Sequence, residues 1–475
     1  MNNDRSEAEL VRALNRAADT APGPDGDLLT AIGGRRRRRV RRRAQSALAV
    51  VGVMAVIGGG TAVARGSFSH RGGEGAALAK VTATQSSAGE NTRKAEKLKV
   101  DIRPAAEVWP SAVSTIPAKA ADGWKYRPIT GLSATELLLS AESSFEKAGR
   151  LESYDTVTGK STVLADMPAP EGVKGYFAQD VEVGAESIAW WGETPNNSDK
   201  WADFWVVPRA GGTARQIGQV TGDLADVERI GVTADSVVWS VGGGGIHRIP
   251  LNGGTPEQIE GTDGLHLLSW PWAVDVAQGR GGEDQDKNQT KLVNLETGQT
   301  AEVHVPDGTQ GLRCGPAWCF GGGVVQRVDG SERKPMPPEL YTGGMGTTSL
   351  AGGFGFFSVP GVVGRDARGE EVEDGDAPLA AVYDPATGTT AGVGKRDRSG
   401  GGSIGTGVSS SPPSIIYWDE DQRQVQECKM VDAASAPRPS GEPTPTGKTE
   451  MCSTTQKGGG KKFTVVNLLA VPPAE

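Results

Sequence analysis

Two hydrophobic rhythms divide this chain. From Ala44 to Ala64 (AQSALAVVGVMAVIGGGTAVA) no side chain is charged, and the run lacks the polar face of a soluble amphipathic helix. Those 21 residues would make a helix about 31 Å long, the thickness of a bilayer's hydrocarbon core. After Val100 the rhythm shortens to alternating runs ended by Gly, Pro, Asn or Asp, the pattern of strands and tight turns. Ahead of the apolar run, Leu10, Leu14 and Ala17 recur at helical spacing until APGPDGD breaks the pattern. Between Arg65 and Lys99 the chain is polar and of low complexity, which reads as a flexible linker.

The strand-forming part repeats. PRAGGTARQI (208–217) and PLNGGTPEQI (250–259) lie 42 residues apart, and each follows a tryptophan-bearing strand, SIAWW or SVVWS. Looser versions of this Gly turn centre on Gly159, Gly298, Gly330 and Gly388, at spacings of 32 to 58 residues. A strand, a tight Gly turn and a second strand make a hairpin, and about forty residues make one four-stranded propeller blade. The spacing predicts an all-β propeller of about seven four-stranded blades, over 129–170, 176–222, 226–262, 264–308, 310–340, 349–395 and 402–470. Six or eight blades also fit the irregular units. A strand from 100–126 is expected to join the last blade and close the ring, leaving no exposed edge.

Charge sets the orientation. Eight arginines stand between Arg35 and Arg43, directly before the apolar run, where the positive-inside rule keeps them cytoplasmic. Residues 1–43 carry +5 (11 basic, 6 acidic), and the remainder carries −13 (39 basic, 52 acidic). An acidic body excludes bulk polyanion binding, so no nucleic-acid partner is expected. The organisation read from this is a cytoplasmic basic leader (1–43), a transmembrane helix (44–64), a flexible linker (65–99) and an extracytoplasmic propeller (100–475). Cleavage after Ala62-Val63-Ala64 competes with a retained anchor; a leader of more than forty residues favours the anchor. All four cysteines, Cys314, Cys319, Cys428 and Cys452, lie on the oxidising side. Two disulfides are expected; three pairings are open, of which Cys314–Cys319 with Cys428–Cys452 is the most economical.

Candidate chemistry is sparse. Gly401-Gly402-Ser403-Ile404-Gly405 fits the nucleophile-elbow pattern, but it sits in a Gly-rich loop and every histidine (His70, His247, His266, His304) precedes it. Asp284 to Asn288 resembles the opening of a calcium loop, yet Gln289 and Leu295 stand where Gly and Glu belong. Glu370, Glu371, Glu373, Asp374 and Asp376 read as a solvated acidic loop, and Val241 to Gly245 as a hairpin turn rather than a phosphate loop. The tryptophans read mainly as core. No catalytic, cofactor or metal residue is assigned, and no cofactor is expected.

VWPSAVSTIP, ELLLSAESSFEKAGRLESYDTVTG, the two GGT turns and CGPAWC together resemble the extracytoplasmic TolB-like or WD-repeat-like propellers of actinobacterial membrane proteins. The Trp-Asp, YWTD, kelch and Asp-box signatures are missing. The resemblance implies a binding scaffold without assigned chemistry. The function expected is therefore a membrane-anchored binding module, not an enzyme, with a protein or glycan ligand at the propeller funnel. Two other readings stand beside it. One is a carbohydrate-active enzyme using funnel carboxylates; the other is a transmembrane signalling protein whose leader recruits a regulator, in the layout of actinobacterial anti-sigma factors. The zinc-binding version of that layout is excluded, because no His or Cys precedes His70.

Overall fold

The structure, a computed structural model, describes residues 102–143, 149–173, 176–194, 200–277, 286–337, 340, 349–359, 362–365, 371–373, 377–396, 404–419, 421, 423–432, 448–457 and 459–473. All of them lie within one unit, Ala62–Glu475; the expected leader 1–43, membrane segment 44–64 and linker 65–99 fall outside the described residues. Among the described residues no helix is long and apolar enough to cross a membrane.

Seven antiparallel sheets follow one another as the blades of a propeller. Strands are lettered a to d from the axis outward. Blade 1 runs Lys125–Gly131, Glu136–Glu142, Arg150–Asp155 and Lys160–Asp166; blade 2 runs Phe177–Val183, Ser187–Glu193, Trp201–Pro208 and Arg215–Thr221. Blade 3 comprises Val227–Val232, Ser236–Val241, Ile246–Pro250 and Glu257–Gln258, and blade 4 comprises His266–Ser269, Trp272–Val274, Lys291–Asn294 and Thr300–Glu302. Blade 5 is Arg313–Cys314, Trp318–Gly321, Val324–Arg327 and Lys334–Pro335. These bounds fall within a few residues of the units read from the repeat.

In blade 6 strands b, c and d are Gly355–Ser358, Ala380–Asp384 and Thr389–Val393. Its strand a is described only at one bridge, Ser349 to Gly355, because 341–348 lie outside the described residues. Ala351–Gly353 forms the 3-10 turn between the two. Blade 7 takes Gly405–Thr406, Ile415–Trp418 and Lys462–Asn467, and its outermost strand is Val113–Pro117 from the other end of the sequence. That strand pairs antiparallel from Val113 opposite Val466 to Pro117 opposite Lys462, closing the ring as expected.

Apolar clusters hold each blade to the next. Leu138, Trp190 and Val207 pack between blades 1 and 2, and Phe204 and Trp239, with ring centroids 4.6 Å apart, between blades 2 and 3. Corresponding clusters join 3 to 4, 4 to 5, 5 to 6, 6 to 7 and 7 to 1. A blade buried on both faces explains why its b strand reads as an unbroken apolar run, as in Ile188–Trp191, and not as an alternation. The repeat turns have a shared job. Gly211 (φ +94°) and Gly253 (φ +89°) close the c–d turns of blades 2 and 3, and each lies against the outermost strand of the preceding blade, at the carbonyls of Leu164 and Ile217. A Cβ at Gly211 would sit 2.9 Å from the Leu164 oxygen, so the GGT motif encodes a φ and a close approach together.

Strand alternation gives the propeller two unlike faces. The a–b and c–d turns share one face, the b–c and d–a connections the other. In blades 1 to 5 the a–b and c–d turns hold two to six residues, whereas the b–c connections of blades 4, 6 and 7 hold 16, 21 and 43. The last two carry two-stranded ribbons, Val362–Arg365 with Glu371–Glu373 and Arg423–Asp432 with Lys448–Lys457.

Candidate functional site

One a–b connection is exceptional. In blade 7 the eight residues Gly407–Ser414 (GVSSSPPS) join Gly405–Thr406 to Ile415–Trp418 and run across the end of the channel on the tight-turn face. This strap touches five blades. Gly407 N donates to Ile415 O in its own blade, and Ala351 N of blade 6 donates to Pro413 O. The Ser414 hydroxyl lies 2.7 Å from that of Thr130 in blade 1 and accepts from Gly131 N at 2.8 Å. Val408 reaches into the apolar cluster between blades 1 and 2. Ser409 makes a parallel bridge with Val181 of blade 2, and Ser410 Oγ accepts from Ile230 N of blade 3 at 2.6 Å. Gly407 permits the close passage: a Cβ there would lie 2.1 Å from the Ile129 carbonyl oxygen.

Beneath the strap the innermost strands gather charge. Glu182 takes the strap's donors: Oε2 accepts from Ser409 Oγ and Ser411 N, both at 2.9 Å, and Oε1 accepts from Ser411 Oγ at 2.6 Å. Arg229 donates to the Ser410 carbonyl and, at 3.4 Å, to Leu268 O of blade 4. Glu228, fully buried, accepts from Ser240 Oγ at 3.3 Å and lies 2.6 Å from His266 Nδ1. Asp180 is buried beside Arg229, the Trp191 indole and Arg127. Arg127 in turn lies 3.0 Å from Glu142.

Burial dominates the electrostatics. It pushes the Asp180 carboxyl up to about 6, against the pull of Arg229, Trp191 and Arg127. It also raises Glu182, although three donors from the strap oppose it. The same burial lowers Arg229, and Glu228, Asp180 and Glu182 work to keep it charged. Three carboxylates around one guanidinium form a compensated polar plug. Nothing in the motifs or spacing of the sequence singles these residues out. Their signal is a weaker one: Asp180, Glu182, Glu228 and Arg229 are charges inside strand runs (FAQDVEV, VERIGV) that otherwise read as apolar.

The structure disperses the residues that the sequence does single out. Gly401, Gly402 and Ser403 lie outside the described residues, and Gly405 opens a strand that leads into the strap, not into a helix. Asp284 and Gln285 also lie outside them. Asn288 is spent on the seam between blades 4 and 5, donating to Thr309 O at 2.6 Å and accepting from Leu312 N at 2.9 Å. Gln289 there accepts from Cys314 N at 3.0 Å. Glu371 and Glu373 sit on the blade 6 ribbon; Glu370, Asp374 and Asp376 fall outside the described residues. Val241–Gly245 is the expected hairpin turn, closed by Gly244 N to Val241 O at 2.8 Å. Among the described residues no group of three or more His, Cys, Asp or Glu side chains could hold a metal.

The Cys314–Cys319 disulfide is formed across the a–b turn of blade 5. Cys428 and Cys452 stand directly opposite in the blade 7 ribbon. Seven tryptophans are buried and the other four are half-buried. A shallow cleft of about 230 Å³ opens between blades 3 and 4, lined by Thr233, Asp235, Arg248, Ile259, Trp270 and Glu296.

The sequence matches no protein-family profile and no curated protein. Among solved structures it is similar to the oligogalacturonate lyase of Vibrio parahaemolyticus at 11% identity, covering 65% of this chain and 88% of that one with a TM-score of 0.37. It is also similar to the β-propeller domain of the Trilobed protease from Pyrococcus furiosus, at 10% identity, 64% and 91% coverage and a TM-score of 0.37. A third similar structure is YCF48 bound to D1 peptide, at 13% identity, 65% and 92% coverage and a TM-score of 0.34. None of these likenesses carries a functional argument; the seven blades stand on the chain's own strand pairing.

Proposed function

We propose that the protein is a membrane-anchored, extracytoplasmic seven-bladed propeller that binds a protein or glycan on its b–c and d–a face. The difference between the two faces carries this reading. One face consists of tight turns plus a strap across the channel end, and the other bears every long connection, including both ribbons. Recognition residues concentrate on variable connections held by a rigid scaffold, and a ring of interlocked blades is such a scaffold. Anchoring is supported by the uncharged run Ala44–Ala64 behind eight arginines. The Cys314–Cys319 disulfide fits an oxidising compartment.

The channel carboxylates favour binding over hydrolysis. A glycosidase needs one carboxyl free to protonate the leaving group and another facing the sugar or its water. Here Glu182 is taken up by strap donors, Glu228 is engaged with Ser240 and His266, and Asp180 is buried beside Arg229.

Replacing residues 423–457 by an Asn-Gly turn in the full-length chain tests the reading. The probes are purified cell-wall glycan and detergent-solubilised envelope proteins from the host cell. The variant is expected to stay in carbonate-washed membranes while losing at least tenfold in affinity for whatever the unaltered chain binds. Unchanged affinity, or release of the unaltered chain by carbonate, would contradict it.

A further inference from the structure

We propose that Gly407–Ser414 is a proton-linked cap on the channel, held shut in mild acid and opened increasingly often as the pH rises toward neutrality. The geometry supplies both halves of such a device. The strap is attached chiefly through polar groups: three donors to Glu182, the Ser410 carbonyl on Arg229, and hydroxyl contacts to Ile230 N and Thr130. The strap itself carries no titratable side chain. Every proton that responds to its position therefore sits on the blades beneath it.

The titratable and charged groups facing it are Arg127 of blade 1 with its partner Glu142, Asp180 and Glu182 of blade 2, Glu228 and Arg229 of blade 3, and His266 of blade 4. Under the strap, burial holds the Asp180 carboxyl at about 6 against an ordinary 3.8, and raises Glu182 as well. Opening hydrates both carboxyls and returns them toward their ordinary values, so the closed state binds protons that the open state gives up. By linkage, closure is favoured at low pH, and the advantage fades as the pH rises through the closed-state values. The hydrogen bonds from Ser409 and Ser411 reduce the effect without reversing it, because burial is the larger influence on Glu182. A guanidinium such as that of Arg229 keeps its charge over this range, so it sets the position of the balance but not its slope. The device is independent of what docks on the opposite face.

Hydrogen exchange of the Val408, Ser410 and Ser411 amides in the full-length chain tests it, read from pH 4 to pH 8 and corrected for intrinsic exchange rates. Protection of the strap is expected to fall as the pH rises, by about tenfold for every tenfold loss of proton affinity that opening causes in Asp180 or Glu182, and by up to about a hundredfold in all. Ala273 and Val293 in blade 4 serve as references and are expected to show no such slope. E182Q and D180N, permanently neutral, are expected to keep the strap protected and to flatten its pH profile. Ser411→Ala is expected to lower protection while keeping the slope, and it keeps the test alive if a carboxyl variant fails to fold. Strap protection that is flat, that rises with pH, or that tracks the blade 4 references would overturn the proposal.

Discussion

Asp203 shows how one residue can set a stability profile. It is completely buried on strand c of blade 2, where it accepts from Tyr176 Oη at 2.9 Å, Trp205 Nε1 at 2.9 Å and Gln216 Nε2 at 3.3 Å. Burial outweighs these donors and pushes its carboxyl up to about 6. A carboxyl raised on folding adds stability below its ordinary value of 3.8 and loses that contribution as the pH climbs through 6. Urea unfolding should therefore show the protein less stable at pH 8 than at pH 5, and Asp203→Asn should remove about 1–1.5 kcal/mol of that difference. An unchanged pH dependence in the variant would show that Asp203 does not set it. The tryptophans were legible from sequence, because large apolar side chains in strand runs have few places to go but the core. The channel charges were not. A period-two pattern cannot tell a charge that faces solvent from one held in a buried network, because the difference lies in partners dozens or hundreds of residues away. Glu182 meets Ser411 across 229 positions.

The elements divide along the same line. Hairpins were readable wherever turn chemistry is local: the turns at Gly159, Gly298, Gly330 and Gly388 all have a positive φ near 70–85° and join strand c to strand d. Closure by a strand from before blade 1 was inferred from the cost of an open edge, and Val113–Pro117 provides it. Its energetic weight is testable in the intact chain. Ile116 is 1% exposed, packed between blades 7 and 1 with Tyr417 and Phe463. Ile116→Asp buries an uncompensated carboxylate there and should cost at least about 3 kcal/mol, seen as an early unfolding transition or as aggregation. A variant as stable as the parent would mean that this strand does not lock the ring. The strap was invisible in advance. GVSSSPPS has the composition of a surface loop, and only the ring around it turns its serines into contacts with blades 1 to 3.

For the whole molecule, the repeat encodes the architecture and the asymmetry of its faces supports the proposed function. Seven blades, each packed on its neighbours, leave little freedom in the body, so the proposed recognition is assigned to the connections. Those connections hold two to eight residues on one face and from two to 43 on the other. The measurement that meets this most directly is photo-crosslinking in intact cells, with a benzoylphenylalanine placed singly in the full-length chain. On the long-connection face the positions are Glu171, Asp223, Asp263 and Asp307; on the tight-turn face they are Val157, Arg209, Asn252 and Thr297, and all eight are exposed. Discrete adducts are expected from the first set and none from the second. Adducts confined to the tight-turn face, or the same adducts from both faces, would contradict the account.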